Sequence, residues 1–281
     1  MELLQLKYFC DAAQTESFSA TARKYSVPAS NISQSVHRLE KGLGVSLFTR
    51  TANRIRLSDD GEIFLRGVKT ALLSLENAKK AVQSRGEIRG EIRICILTNR
   101  RIVTKVIGEF KKQYPDVTFK IKHFKAHEAD SFDVIIGDGQ VYPAGFSATK
   151  LIEEKLMLAV HKDYIGQAQS LPSLRFITMQ KTASQYFYTT ETCKKLGFVP
   201  NIAIETDDPS YVRAYIEMGL GAAIVPVFSW EGLFSEQIYF KDIGDFSRTT
   251  FLYVNQNRYA TPAIQLFHRA IVKACKNTQN G

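Results

Sequence analysis

Long apolar stretches are missing from the sequence. No run approaches the roughly 20 uninterrupted apolar residues that a membrane-spanning helix needs. Glu2, Lys7 and Asp11 stand where a secretory signal peptide would carry its apolar core. We therefore expect a cytoplasmic protein that has no membrane partner.

Cysteines are few, and the common motifs of catalysis are missing. The four cysteines, Cys10, Cys95, Cys193 and Cys275, form no CxxC pair, so neither a zinc site nor a disulfide framework is indicated. The sequence also has no GxGxxG, P-loop or GxSxG motif. We expect buried thiols in a reducing compartment, no metal, no cofactor and no enzyme activity.

Length and positive charge are what the sequence does have. A chain of 281 residues is long enough for two or three modules that each bury a core. Lysine and arginine total 37 against 28 aspartates and glutamates, which gives a formal net charge of +9. Such a charge favours a polyanionic partner, but many basic proteins bind none. It therefore supports a nucleic-acid role only in combination with other features.

The N-terminal segment has the pattern of a winged helix-turn-helix. Apolar residues at helical spacing predict a first helix, and Ser17 is placed to cap a short second one. Pro28 breaks the chain before a third helix. Two short segments around a turn, 45–50 and 54–57, then predict a two-stranded wing. We assign residues 1–58 to a DNA-binding domain.

The third helix has two unlike faces. Ile32, Val36, Leu39 and Leu43 form an apolar stripe that we expect to face the core. The opposite face holds short polar and cationic groups and no acid, which suits contact with base edges and phosphates. A solvated basic surface without a ligand is the alternative. The candidate DNA-contacting residues of this helix and the wing are Ser30, Asn31, Ser33, Gln34, His37, Arg38, Arg50 and Arg54.

A long linker helix followed by a hinge is predicted over residues 59–88. Ser58 is placed to cap the helix, and acidic residues fill its first turn, where the helix dipole favours negative charge. Apolar residues then recur in steps of four and three, the spacing of a coiled-coil seam. Packing of this stripe against its own chain is the alternative to a homodimer. The candidate dimerisation residues are Phe64, Val68, Ala71, Leu75, Ala78 and Val82.

Residues 89–281 predict an α/β body. Short apolar segments alternate with amphipathic helices, which favours largely parallel sheets, and the segments outnumber the strands of one compact sheet. In open α/β sheets, ligands bind beyond the carboxyl ends of strands, against helix N-termini. Two donor-rich loops in such places suit an anionic metabolite, although their cations can equally be solvated. The candidate ligand-binding residues in these loops are Thr98, Asn99, Arg100, Arg101, Gln180, Lys181, Thr182 and Ser184.

Many residue types at fixed spacing in the first module match one known family: Leu6, Phe9, Ser17, Phe18, Ala20, Ala22, Ser30, Ser33, Leu39, Glu40, the run 43–50, Leu57, Ser58 and Gly61. On these residues the sequence resembles the LysR-type transcriptional regulators. The resemblance implies a third helix that reads the major groove, a dimerising linker helix and a two-lobed effector domain like that of periplasmic binding proteins. The implied partners are double-stranded DNA with an inverted repeat, a small-molecule effector, a second copy of the chain in a dimer or a dimer of dimers, and RNA polymerase.

The resemblance also implies boundaries within the body. Lobe I would take residues 89–158 and 255–281, and lobe II would take residues 159–254. The chain would cross between the lobes near 158–161 and return near 251–255.

Two departures from the family pattern are visible. Asn53 occupies the usual position of a wing arginine, and Arg54 follows one residue later. Only residues 125–132 join two strands between which the family has a further helix, so we expect one wall of the effector cleft to differ.

Two other functions compete with control by a small molecule. A redox- or partner-controlled regulator is one, because peroxide-sensing members of the family use two cysteines in lobe II. Here Cys193 lies in the matching helix, but Ser184 stands where the second cysteine would be. A solute-binding protein, the alternative of another class, would need an idle first module and export from the cell.

Overall fold

A computed structural model describes residues 1–51, 54–84, 87–122, 126–139, 144–164, 166, 170–230 and 232–279 of the protein. The chain divides into two compact units, Met1–Gln83 and Ser84–Gly281. Over the described ranges, no helix combines the length and the apolar character that crossing a membrane requires.

The first unit is a winged helix-turn-helix, as the sequence predicts. Three helices are followed by a two-stranded antiparallel hairpin and a long helix. The second helix begins where predicted, because Ser17 Oγ accepts a hydrogen bond from the Ala20 N–H at 3.1 Å. The elements are α1 (Leu3–Thr15), α2 (Phe18–Tyr25), α3 (Ala29–Leu43), β1 (Phe48–Thr51), β2 (Arg54–Leu57) and α4 (Asp59–Ser84).

A small core of aromatic and aliphatic side chains holds the first unit together. Phe9 is fully buried, and its ring centroid lies 5.6 Å from that of Phe48 and 5.3 Å from that of Phe64. Val68 packs in the same core. Because Phe64 and Val68 belong to α4, burial of apolar surface fixes the beginning of the long helix to the helix-turn-helix.

A mixed sheet forms the framework of the second unit. Its strands are β3 (Gly90–Ile96), β4 (Val117–Ile121), β5 (Val134–Asp138), β6 (Phe146–His161), β7 (Arg175–Met179), β8 (Asn201–Thr206), β9 (Ala222–Pro226) and β10 (Ile238–Asn255). Over the described residues their order is β4-β3-β5-β10-β6-β9-β7-β8. The helices are α5 (Arg100–Gln113), α6 (Ser184–Lys195), α7 (Pro209–Glu217), α8 (Val227–Trp230) and α9 (Pro262–Gln279).

Two long strands in the middle of the sheet belong to both lobes. Strands β6 and β10 pair with each other antiparallel, and they pair further with β9 and β5, also antiparallel. The outer strands pair in parallel. The expectation of largely parallel sheets is therefore wrong for the centre. The reason is that β6 leads from lobe I (with α5 and α9) to lobe II (with α6 and α7), and β10 leads back in the opposite direction.

The chain changes lobe inside these two strands. Ile152 packs in the core of lobe I, whereas Leu156 of the same strand packs in a core of lobe II. On the return, Ile243 belongs to lobe II and Leu252 to lobe I. The crossings were expected near 158–161 and 251–255, but the structure has them earlier along the chain, between Ile152 and Leu156 and between Ile243 and Leu252. The sequence did not show these positions, because a continuous strand has no turn signal between the two cores.

A 3-10 helix, Ala126–Ser131, occupies the described part of the short connection before β5. The prediction that no further α-helix fits there is confirmed for residues 126–132, and Lys125 lies outside the described residues. A buried ion pair fixes the end of this connection. Arg258 Nε donates to Asp133 Oδ1 at 2.7 Å, and Asp133 Oδ2 accepts the Arg93 N–H at 2.8 Å. Both oxygens of this buried carboxylate are thus hydrogen-bonded, which stabilises the segment without a helix.

Arg258→Met is expected to destabilise the second unit, because it leaves the buried Asp133 carboxylate without its charged partner. Such a loss costs about 3–5 kcal/mol of unfolding free energy. The fluorescence of Trp230, the single tryptophan of the chain, reports unfolding in urea. Lys155→Met removes an exposed ion pair with Asp242 and is the control, with an unchanged midpoint expected. Equal midpoints for Arg258→Met and wild type would contradict the role of the pair.

Candidate DNA-binding surface and effector cavity

The exposed face of α3 is the candidate DNA-binding surface. Ile32, Val36 and Leu39 are buried and fix the inner face of the helix. Of the predicted contact residues on this helix, Ser33 is half-buried. The exposed ones are Ser30, Asn31, Gln34, His37 and Arg38. Their spacing places them on one side of α3, which therefore presents hydroxyl, amide, imidazole and guanidinium groups to solvent.

A tight turn sets the direction of α3. Ser26 takes the left-handed conformation at φ 54°, and its N–H donates to the Arg23 carbonyl at 3.3 Å. The Val27 N–H donates to the Ala22 carbonyl at 3.1 Å. These bonds close the end of α2, and Pro28 precedes the first residue of α3.

Glu40 connects the recognition helix to the wing, a role that sequence reasoning missed. Its side chain is buried, and its Oε1 accepts the N–H groups of Leu47 at 2.9 Å and Phe48 at 3.2 Å. Leu43, which was expected to continue the apolar stripe, is instead 38% exposed. The available signal was an acid directly after Leu39 of the apolar stripe, at a position that matches the family.

The wing is the hairpin of β1 and β2. Backbone pairing places Arg50 opposite Ile55. Arg56 is exposed. Asn53 and the side chains of Arg50 and Arg54 lie outside the described residues, so the DNA contacts predicted for this part of the wing stay predictions.

A cavity of about 250 Å³ lies between the lobes of the second unit. The predicted effector-binding residues that line it are Thr98, Asn99, Arg100, Arg101 and Ser184. The other three predicted residues, Gln180, Lys181 and Thr182, are exposed and lie outside the lining of the cavity. The structure therefore brings the loop after β3 and the beginning of α6 together at the cavity. Residues 180–182 of the loop after β7 do not contribute to its lining.

Three helices begin at the wall of this cavity. The unpaired N–H groups of a helix N-terminus favour an anion. At α7 the Asp208 carboxylate already caps the helix and accepts the Ser210 N–H at 2.7 Å. The first-turn residues of α5, α6 and α7 in the cavity lining are Arg100, Arg101, Ser184, Gln185, Pro209 and Ser210.

A buried ion pair joins β6 to β10 beside the cavity. Arg248 and Glu154 are partners in the strand register, and Arg248 Nη2 donates to Glu154 Oε1 at 2.5 Å. Glu154 Oε2 accepts the Ser229 N–H at 2.8 Å, and Arg248 Nη2 donates to Ser229 Oγ at 2.9 Å. Asn99 Nδ2 donates to Glu154 Oε1 at 3.4 Å and to Thr250 Oγ1 at 2.7 Å. This network links both shared strands to the beginning of α5 and to α8.

Arg248 remains a cation inside this network. Burial opposes the charged form, but the adjacent Glu154 carboxylate raises the pKa of Arg248 above its ordinary value. The Tyr188 ring lies 6.0 Å from the guanidinium carbon. Burial raises the pKa of the Tyr188 phenol, although Arg248 opposes this shift, so the phenol stays neutral. The sequence singled out none of these three side chains for the cavity.

Apolar side chains cover another part of the cavity wall. Leu97, Met179, Trp230 and Leu233 contribute to the lining. A ligand that fills the cavity thus meets arginines and apolar surface together.

Cys193 is fully buried, and burial raises the pKa of its thiol to about 11. Oxidation starts from an accessible thiolate, and a buried protonated thiol is inert. This environment weighs against a redox sensor that uses Cys193.

Two family profiles match the chain. The bacterial regulatory helix-turn-helix protein of the lysR family matches residues 3–62, and the LysR substrate binding domain matches residues 85–276. The chain belongs to the LysR-type family of transcriptional regulators. The regulator therefore has a DNA-binding domain followed by a substrate-binding domain, and the resemblance inferred from the sequence is confirmed.

Its relatives are transcriptional regulators. The transcriptional dual regulator GltC of Bacillus subtilis is 26% identical, and the match covers 97% of each chain. The transcriptional regulator ShiR of Corynebacterium glutamicum is 28% identical over 80% of the regulator and 82% of ShiR.

Solved structures share the fold at low identity. CbnR, crystallised with its target DNA, is 21% identical with a TM-score of 0.65, and the match covers 98% of the regulator and 100% of CbnR. A full-length OxyR variant from Pseudomonas aeruginosa is 19% identical with a TM-score of 0.73, over 96% of the regulator and 94% of OxyR. These structures confirm the predicted fold class, a winged helix-turn-helix followed by a two-lobed α/β domain.

Glu40→Ala is expected to loosen the wing, because it leaves two buried N–H groups without an acceptor. Unsatisfied groups of this kind cost about 1–3 kcal/mol. Hydrogen-exchange mass spectrometry of the wing peptide measures the effect as faster exchange. Glu40→Gln keeps the Oε1 acceptor and is the matched control, with exchange close to that of wild type. Equal exchange for Glu40→Ala and wild type would show that the carboxylate does not hold the wing.

Proposed function

We propose that the regulator binds an inverted-repeat operator as a homodimer or a dimer of dimers, and that a small anion bound between its lobes controls this binding. The observation that carries the proposal is the combination in one chain of an exposed polar face on α3 with a cavity lined by arginines. We infer a cytoplasmic location from the DNA-binding role of the family.

The outer face of α3 supports direct reading of bases. Gln34 and Arg38 have the side chains that bond to the major-groove edges of adenine and guanine, respectively. The net charge of +9 favours contacts with phosphates. CbnR was solved with its target DNA, which supports a DNA complex for this fold.

The later part of α4 supports a dimer. Phe64 and Val68 pack in the core of their own unit, so they are poor candidates for an intermolecular seam. By contrast, Leu75 is 55% and Val82 is 68% exposed. The remaining exposed residues of the predicted seam are Ala71 and Ala78. Pairing of this stripe with a second copy would remove apolar surface from water and would set the distance between two half-sites.

The cavity supports a small anionic effector. Four arginines line it, Arg100, Arg101, Arg213 and Arg248, together with the acid Asp208. Its volume of about 250 Å³ lies just below the roughly 300–1,000 Å³ of drug-sized sites, so a small metabolite fits it. Binding between two lobes that share β6 and β10 offers a route from the effector to the lobe geometry.

The alternatives have less support. A redox mechanism lacks an accessible thiolate at Cys193. A solute-binding protein would have no use for the exposed polar face of α3. RNA polymerase stays a candidate partner on the resemblance alone.

Gln34→Ala and Arg38→Ala are each expected to weaken binding to the operator by about 1–3 kcal/mol and to relax base preference, because each removes a base contact. Mobility shifts with duplexes selected from a random library measure both effects, and wild-type affinity should fall steeply with salt. Arg269→Ala removes one exposed charge of α9 and is the control for charge loss. Unchanged sequence preference in both α3 variants would overturn the assignment of the recognition helix.

Leu75→Asp is expected to convert the dimer to a monomer at micromolar concentration, because it places a charge in the apolar seam of α4. Sedimentation equilibrium measures the mass directly. Ser74→Asp adds the same charge one residue earlier, at an exposed position outside the seam, and should remain dimeric. A dimeric Leu75→Asp variant, or a monomeric wild type, would exclude pairing through α4.

A further inference from the structure

One buried donor at the effector cavity has no acceptor. The Arg248 side chain is 8% exposed and lines the cavity. Its Nη2 is used by Glu154 and Ser229, but its Nε has no hydrogen-bond partner among the described residues. A buried polar group without a partner costs free energy, and a charged one costs more. A ligand acceptor at Nε would remove this cost.

We propose that Arg248 binds a carboxylate of the effector through Nε, and that the effector is a small carboxylic acid with an apolar body. This inference rests on the proposed function and adds the residue that recognises the charge. It differs from the expectation drawn from the sequence, in which the loop cations Arg100, Arg101 and Lys181 recognise the anion.

Burial separates Arg248 most clearly from Arg100 and Arg101, and the fourth arginine of the lining, Arg213, is half-buried. Arg100 and Arg101 are exposed, so water screens their charges and remains available to their N–H groups. Arg248 has little access to water, and an anion placed beside it interacts in a low effective dielectric. The exposed arginines then attract the anion to the cavity, whereas Arg248 discriminates a charged ligand from a neutral one.

The number of donors favours a carboxylate over a phosphate. Among the buried side-chain donors of the described cavity lining, Arg248 Nε is the one without a partner, and a phosphate group has three acceptor oxygens to satisfy. The apolar lining at Leu97, Met179 and Trp230 is suited to the rest of the molecule. A carboxylate at Nε would leave such a body against these side chains.

Glu154 opposes the ligand that Arg248 binds. Its Oε1 accepts a hydrogen bond from Arg248 Nη2 at 2.5 Å. The carboxylate therefore neutralises part of the positive charge that an effector would otherwise contact. Neutralising Glu154 removes this competition for the positive charge of the guanidinium. The ion pair therefore limits the affinity for the effector. Removing the charge of Glu154 should strengthen binding, whereas removing the charge of Arg248 should weaken it.

The test uses the full-length regulator and defined probes: succinate, glutarate and benzoate, each with its neutral amide, and inorganic phosphate. Binding is followed by the fluorescence of Trp230, which lines the cavity, and by thermal shift. At least one carboxylate is expected to bind, whereas its amide and phosphate do not. If phosphate binds wild type but no carboxylate does, an anionic effector stands and the role of Arg248 as a carboxylate-binding residue is excluded. If none of these anions binds, both are excluded.

Variants separate the role of Arg248 from the proposed function. For a carboxylate that binds wild type, Arg248→Gln is expected to weaken binding about 10- to 100-fold. Glu154→Gln is expected to strengthen it about tenfold. The double variant Glu154→Gln with Arg248→Gln has no uncompensated buried charge, so it keeps the test valid if Arg248→Gln alone does not fold, and it should bind as weakly as Arg248→Gln.

Two control variants make the same charge changes as Arg248→Gln and Glu154→Gln, but at exposed positions. Arg269→Gln and Glu153→Gln should leave the affinity for the probe unchanged. Wild-type affinity in the folded double variant would exclude Arg248 while leaving an anionic effector intact. Loss of binding in Arg100→Gln but not in the double variant would return the charge recognition to the loop after β3.

Discussion

The antiparallel pairing of β6 with β10 is the interaction on which the substrate-binding domain depends. Each lobe attaches its own strands to one side of this pair, through β5 and β9, and each buries its own core. Any change in the twist of the pair alters the relation of the two lobes, because no other strands of the described sheet are shared. The buried partners Arg248 and Glu154 face each other within this pair and beside the cavity. A ligand that contacts Arg248 therefore acts where both lobes begin.

Local patterns explain what the sequence predicted correctly. The helix-turn-helix depends on signals within a few residues, such as the Ser17 cap and the buried stripe from Ile32 to Leu39, so its elements agree with the structure. The short connection of residues 125–132 was visible as a length alone. The boundaries of the lobes were less accurate, because β6 and β10 continue from one core into the next without a break in their pattern.

The centre of the effector cavity was not visible in the sequence for a different reason. Glu154 stands between Glu153 and Lys155, which is the pattern of a solvated surface strand, and its partner Arg248 lies 94 residues away. Only the strand register brings the two charges together. The predicted loop residues Thr98 to Arg101 line the cavity because the end of a parallel strand places them there, as the general rule for α/β sheets requires.

Two buried ion pairs in this domain differ in a way that separates structure from function. Both require desolvation of charge, and apolar residues in their place are often at least as stable, so stability alone is a poor explanation for either. At Asp133 both carboxylate oxygens are occupied, one by Arg258 and one by a backbone N–H, and the pair closes a chain connection. Arg248 lines the cavity, and its buried Nε donor has no partner among the described residues. A domain that kept this second pair only for its fold would gain from an acceptor for this donor or from its removal. A domain that binds an anion there needs a donor that no group of its own has taken.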